Sequence, residues 1–297
     1  MGRMIPLPIT LLERRKVPRA IFSVHSSMPD PQKVFSLMRT AYGMGVWSFD
    51  LSSPKQLESF RKLRDLTDDS ALMGFCHLDA EEGASLLGKP LHRFESRIIS
   101  TIRKDLLPSN LARNILPPSS SSEVLTQKEI DRIAFDPLRL EQALSLFDPE
   151  ESPFLLVGEK YGDWLLALGR VDLLHEMVSR VRENGFIPIF SGQWATFVLP
   201  KAKPLHVAAY AVPINQKWSL FDLPRACDLI KKFDKPVISL NPLADGTLPK
   251  ESEGAFSFLF DELKIYAAIP KVASEGETRT IVETLVKFPS LIPPRKT

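Results

Sequence analysis

Three features of the sequence predict an α/β fold, a (β/α)8 TIM barrel with an enlarged helical insertion between strands three and four. Short apolar runs alternate with amphipathic helical stretches about eight times along 297 residues. The runs are apolar on successive residues, as expected for strands of a parallel sheet covered on both faces. No glycine-rich fingerprint follows the first run, which counts against the rival, a doubly wound open sheet. The whole chain, 1–297, is read as one domain, with 79–152 as the insertion.

The elements run in order. After a proline-punctuated start, RAIFSV (19–24) reads as strand one. Asp30 suits an N-cap and Pro31 the first helical position, with Val34, Leu37, Met38 and Ala41 on one helix face. GVWSFDLSS ends a second strand at Asp50, and Ser53-Pro54 opens a helix with Leu57, Phe60 and Leu63 inward. ALMGFCHL (71–78) is strand three. Residues 79–152 then break the rhythm, with helical patterns over 91–105 and 126–147, no strong strand, and a Pro/Ser-rich surface linker, LPPSSSSEV, between them. PFLLVG, FIPIFSG, LHVAAYAVPIN, KPVISLNPLA and IYAAIPK are strands four to eight. QWATFVLPKA reads as a short connection after strand five. Helices fall on VDLLHEMVSRVRENG, DLPRACDLIKKF (N-cap Asp222), EGAFSFLFDELK and EGETRTIVETLVKF.

Composition narrows the function. The net charge of +2 leaves no basic footprint for nucleic acid, and no apolar run reaches the length of a membrane span. Cys76 and Cys227 offer neither a disulfide framework nor zinc spacing, and no metal-ligand cluster stands out. The first twenty residues lack a signal-peptide core, and Pro6 spoils the Met1-Gly2 myristoylation pattern. A cytoplasmic protein acting on a small-molecule substrate, with no metal, no nucleic acid and no membrane, is expected.

In such a barrel the active face lies at the C-terminal strand ends. These carry His25, Asp50, Cys76, His77, Gly158, Glu159, Ser191, Gly192, Asn215, Gln216, Asn241 and Lys271. Asn241, at the end of VISLNPLADGTL, is a polar group at a pocket mouth, with Gly246 freeing the loop backbone for a ligand. Alternatively, Asn241-Pro242 simply terminates the strand.

SLNPLADGTL resembles the strand-seven loop of aldo-keto reductases. YGMGVWSFDLSS is similar to that family's second strand and puts Asp50 on its catalytic aspartate. IFSGQ, with Ser191, resembles the strand-five segment, and VPINQKWSLF the strand-six segment. The latter sets Asn215 and Gln216 where the family holds the nicotinamide amide. AIPKVASEGETR is similar to the strand-eight segment, which implies Lys271 and Arg279 for the phosphates of NADP(H), with Asn241 and Leu243 on the neighbouring loop. The departures are as informative. The stretch after Asp50, DLSSPKQLESF, has no tyrosine; strand three ends in Cys76-His77 rather than lysine; strand four ends in Gly158-Glu159-Lys160 rather than histidine.

The resemblance therefore implies an NADP(H)-binding oxidoreductase acting on a small carbonyl, with Asp50, His77 and Glu159 as replacement catalytic groups. Lys160 with Tyr161 is another candidate pair. A rim histidine, a loop-capping carboxylate and a solvated Lys271/Arg279 pair are the plainer accounts of the same residues. Two other functions stay open: a non-redox lyase, isomerase or hydrolase on a small anionic metabolite, and a catalytically silent barrel whose insertion binds a partner.

Overall fold

The computed structural model describes residues 7–25, 28, 30–106, 123–217, 222–244 and 251–291. Its main sheet contains nine parallel segments, which occupy eight barrel positions. Strands one to seven are Phe22–Val24, Ser48–Leu51, Met73–Asp79, Phe154–Gly158, Ile187–Ser191, Ala209–Pro213 and Val237–Leu240. The eighth is split by Pro270 into Ala267–Ile269 and Lys271–Val272. A proline has no N–H to donate, so the ladder breaks there. The first piece pairs with strand seven and the second with strand one. Ile21 N donates to Ala268 O at 2.9 Å and Ser23 N to Pro270 O at 3.0 Å, which closes the barrel.

Local chemistry sets the helices. Asp30 and Ser53 cap Pro31–Gly43 and Pro54–Thr67, each with proline in the first turn. The faces predicted from spacing pack inward: Val34, Leu37, Met38 and Ala41 are buried on the former, Phe60 and Leu63 on the latter, where Leu57 is only partly buried. Asp222 caps Leu223–Lys232. The stretch ATFVLPKA, read as a connection, is a helix at Ala195–Ala202, and a further helix, Glu159–Ala167, precedes Val171–Glu183.

Between strands three and four the structure departs from the helical reading. A three-stranded antiparallel sheet of Lys89–Pro90, Ala84–Leu86 and Ile133–Phe135 is present. The pattern read as one helix over 126–147 is broken into Gln127–Asp131 and Pro137–Leu144. The cause is local, because Pro137 disfavours the helical region for Asp136, which instead caps the second helix. Most of the serine-rich linker, like Gly246, lies outside the described residues.

The proline-punctuated start forms an antiparallel hairpin, Ile9–Leu12 with Arg15–Pro18. Leu12 and Val17 join the barrel interior with Ile21, Phe75, Phe154, Leu156 and Ile189. Nearby, Arg19 is buried with its guanidinium 4.0 Å from the Phe260 ring centroid. It donates to the carbonyls of Ile265 (2.7 Å), Pro289 (2.9 Å) and Tyr266 (3.3 Å). At about 1 kcal/mol per hydrogen bond and about 1 kcal/mol for the ring contact, Arg19→Met is expected to cost about 3–4 kcal/mol in urea unfolding. A loss below about 1 kcal/mol would show that these carbonyls find other donors.

Candidate active site

Successive side chains along a strand point to opposite faces, so a position two residues beyond an interior side chain also faces inward. Ile21, Phe75, Ile189 and Ile269 are interior and apolar. Two residues beyond them stand Ser23, His77, Ser191 and Lys271. Register completes the layer: Lys271 pairs with Ser23, and Ser23 with Asp50. Strand periodicity thus turns an apolar interior into a polar mouth within one step.

That mouth is a cavity of about 340 Å³. Asp50, His77, Glu159, Gln193, Asn241 and Lys271 supply its main polar groups, and Pro213, Leu240 and Ile269 its apolar wall. His77 lies between two carboxylates. Its Nε2 is 2.5 Å from Asp50 Oδ1, and its Nδ1 is 2.7 Å from Glu159 Oε1. Ser23 Oγ donates to Asp50 Oδ2 at 2.7 Å, and Ser191 Oγ to Glu159 Oε1 at 3.3 Å.

The charges follow from this geometry. Burial by itself favours neutral imidazole, but the two carboxylates outweigh it and push His77 up to about 10. Burial likewise opposes ionisation of Asp50 and Glu159. The imidazolium and the serine hydroxyls outweigh it and hold both below the usual carboxylate range, with Lys271 adding to the effect at Asp50. At neutral pH the trio is therefore carboxylate, imidazolium, carboxylate, with one excess negative charge.

Glu159 reaches His77 because the chain reverses at the end of strand four. Gly158 has φ 126° and Glu159 φ 49°, two consecutive left-handed residues. A methyl group on Gly158 would stand 2.5 Å from Ser191 O, so glycine is required there for space as well as conformation.

Other predicted residues fall elsewhere. Cys76 is wholly buried on the opposite face from His77, in the shell between barrel and helices, and burial pushes its thiol up to about 12. Asn215 is buried; its Nδ2 donates to Asn241 O at 3.2 Å and its Oδ1 accepts from Lys217 N at 3.0 Å, tying the strand-six and strand-seven loops together. Gln216 is exposed, and Leu243 is buried in the outer core. Arg279 is exposed on the helix Glu275–Leu285. The start of that helix is already occupied: Ser274 caps Glu277 N, and Glu277 Oε2 accepts from Ala273 N at 2.8 Å. Lys160 Nζ and Tyr161 Oη both bind Glu95 Oε2 at 3.0 Å, which latches the helix to the insertion rather than to the mouth.

The sequence reading missed four polar residues of this site, one of them Ser52 at the rim. Ser23 orients Asp50. Gln193 lines the mouth, and Asp163, buried behind it, accepts from Gln193 N at 2.7 Å. Burial raises Asp163 well above the usual carboxylate range. Period two from Ile21 was a usable signal for Ser23; nothing in the sequence marks Asp163.

No family model matches the chain, and no curated protein matches it. Solved structures do. A Pseudomonas aeruginosa protein provisionally assigned as an aldo-keto reductase superposes with TM-score 0.58 at 13% identity, over 97% of this chain and 99% of the other. The holo form of aldo-keto reductase AKR11C1 from Bacillus halodurans gives TM-score 0.58 at 11% identity, over 96% and 92%. The thermostable aldo-keto reductase Tm1743, in complex with the inhibitor epalrestat, gives 0.54 at 11%, over 92% and 91%. The chain therefore has the (β/α)8 barrel fold of aldo-keto reductases. Among the described residues no helix is long and apolar enough to cross a membrane, and no group of three His, Cys, Asp or Glu is arranged to hold a metal ion.

Proposed function

We propose that the chain is a divergent aldo-keto reductase that binds NADP(H) at the barrel mouth and reduces a small carbonyl compound. The observation that carries this reading is His77, fixed between Asp50 and Glu159 at the C-terminal face of an aldo-keto-reductase-type barrel. The mouth suits the cofactor in its donors: Lys271, an ammonium with no direct ion pair among the described residues, and the side-chain amides of Gln193 and Asn241. Lys271 would hold an anionic group and the amides a carboxamide. Asn215, already committed to the neighbouring loops, would support Asn241. Bound there, the cofactor supplies the hydride.

The chain's own task is to deliver a proton to the carbonyl oxygen. Both His77 nitrogens carry hydrogen, and each donates to a carboxylate. The two carboxylates differ, however, because the Asp50 side chain is 3% exposed and that of Glu159 is 26% exposed. Glu159 is the one free to yield, so Nδ1–H is the proton offered to substrate, while Asp50 and Ser23 keep the ring in place. A group with a pKa near 10 stays fully protonated at neutral pH, as a general acid in a reductive step requires.

NADPH and NADH titrations, followed by tryptophan quenching and cofactor fluorescence, test the binding half. Saturable binding with a preference for NADPH is expected. Lys271→Ala should weaken it about tenfold, equivalent to about 1.4 kcal/mol, and flatten its salt dependence. Absence of binding at millimolar cofactor would dismiss the redox reading.

One observation favours a second function. No tyrosine lines the mouth among the described residues, whereas the acid–base trio is complete without a cofactor. A lyase or isomerase acting on a small anionic metabolite, with Lys271 as the anion's partner, would use the same groups. Turnover of such a metabolite without nicotinamide would establish it.

A further inference from the structure

A second cavity, of about 380 Å³, opens beside the first, between the end of strand three and the insertion helix Pro137–Leu144. His77 lies in the wall of both cavities. One side is apolar, formed by Leu78, Ala143, Leu146 and Phe147; the other carries Asp79, Glu82, Arg139 and Gln142. Leu146 is 62% exposed, an uncovered apolar group at the rim.

The charge balance is negative. Both cations in the wall are already partnered: Arg139 faces Glu82 at 3.5 Å, and His77 is held between Asp50 and Glu159. Asp79 has no cation. Its carboxyl accepts from the backbone N–H groups of Glu81, at 3.0 Å, and Tyr161, and it forms no ion pair among the described residues. Burial pushes it up to about 7, with Glu159 and Glu81 adding to the rise. Behind His77, the Asp50–His77–Glu159 trio contributes its own excess negative charge. A cation entering here meets a carboxyl without a cationic partner, and the Phe147 side chain in the same wall. An anion would have to displace Glu82 from Arg139 and lie beside Asp79.

We propose that this cavity binds a small organic amine, a protonated ammonium with an apolar or aromatic substituent. The ammonium pairs with Asp79 and the substituent covers Leu78, Leu146 and Phe147. This does not rest on carbonyl reduction, since the site needs no cofactor, although it shares His77 with the mouth.

Benzylamine is the probe, with benzyl alcohol as its neutral counterpart and phenylacetate as the anion, each titrated calorimetrically into the full chain without cofactor. Saturable benzylamine binding is expected, at least tenfold tighter than benzyl alcohol, with phenylacetate weakest. Asp79→Asn keeps an acceptor for Glu81 N and should lose at least tenfold in benzylamine affinity. Ala143→Phe fills the cavity from the helix side and should abolish binding; it decides the matter even if Asp79→Asn fails to fold. Absence of binding at millimolar benzylamine would overturn the proposal. So would equal affinity for amine and alcohol, tighter binding of phenylacetate, or undiminished binding in Ala143→Phe.

Discussion

Replacing His77 with alanine is expected to destabilise the protein by about 3–5 kcal/mol near neutral pH, the usual cost of removing one partner from a buried ionic group. It leaves Asp50 and Glu159 facing each other with no cation between them. The pH dependence distinguishes this from simple loss of packing. His77 has an ordinary value of 6.5 and rises to about 10 when folded, so its stabilisation is complete below about pH 6.5 and disappears as pH rises through about 10. Asp50 and Glu159 are lowered from 3.8 and 4.5, so their share is present above those values and disappears as pH falls through the folded ones. The wild-type contribution of the trio is therefore greatest between about pH 4.5 and 6.5. In His77→Ala the alkaline decline should vanish and stability should improve on acidification, as one stranded carboxylate takes up a proton. Urea unfolding across pH 5 to 10 measures both. Wild-type and variant curves that run parallel would mean that His77 is neutral in the folded protein. Any turnover the protein shows should fall by about 10²–10⁴, the worth of a positioned general acid.

Gly158→Ala is expected to have the other large effect. The left-handed backbone costs a non-glycine residue about 1–3 kcal/mol, and a methyl 2.5 Å from Ser191 O adds overpacking of about 1–3 kcal/mol. A loss of about 2–6 kcal/mol in unfolding free energy follows from the two together. The same shift turns Glu159 away from His77. Glu159→Gln separates the two effects, removing the charge at Nδ1 while leaving the backbone unstrained. A Gly158→Ala protein as stable as wild type would show that the strand-four reversal is not fixed by this glycine.

The period of the sequence carried most of the barrel. Residues such as Val34, Leu37 and Met38 announce a helix face by spacing alone, and Asp50 and His77 announce themselves as polar groups ending apolar strands. The hairpin Ile9–Leu12/Arg15–Pro18 was illegible because four-residue strands among prolines carry no distinctive period. Ile133–Phe135 was hidden inside a helical pattern and is set apart by the turn at Asp136-Pro137. The aldo-keto reductase resemblance placed Asn215 and Gln216 at a ligand. The buried amide of Asn215 ties together two loops, through partners 2 and 26 residues away. The trio itself was half legible. Its three members were named from strand ends, but the clamp on both nitrogens of His77 depends on the reversal at Gly158-Glu159, which sequence spacing does not reveal.

The barrel's closing seam also constrains how the chain is made. Ile21 N bonds Ala268 O, so strands one and eight of the barrel meet only after residue 268 has been synthesised. Until Lys271 and Val272 leave the ribosome, Ser23 and Val24 lack their partners, and the hairpin's Leu12 and Val17 have no finished interior to plug. Native closure of the barrel therefore waits on a pairing that spans about 250 residues of sequence. A nascent chain stalled before residue 267 would present an open sheet with two unpaired edges, the form in which chaperones would meet this protein.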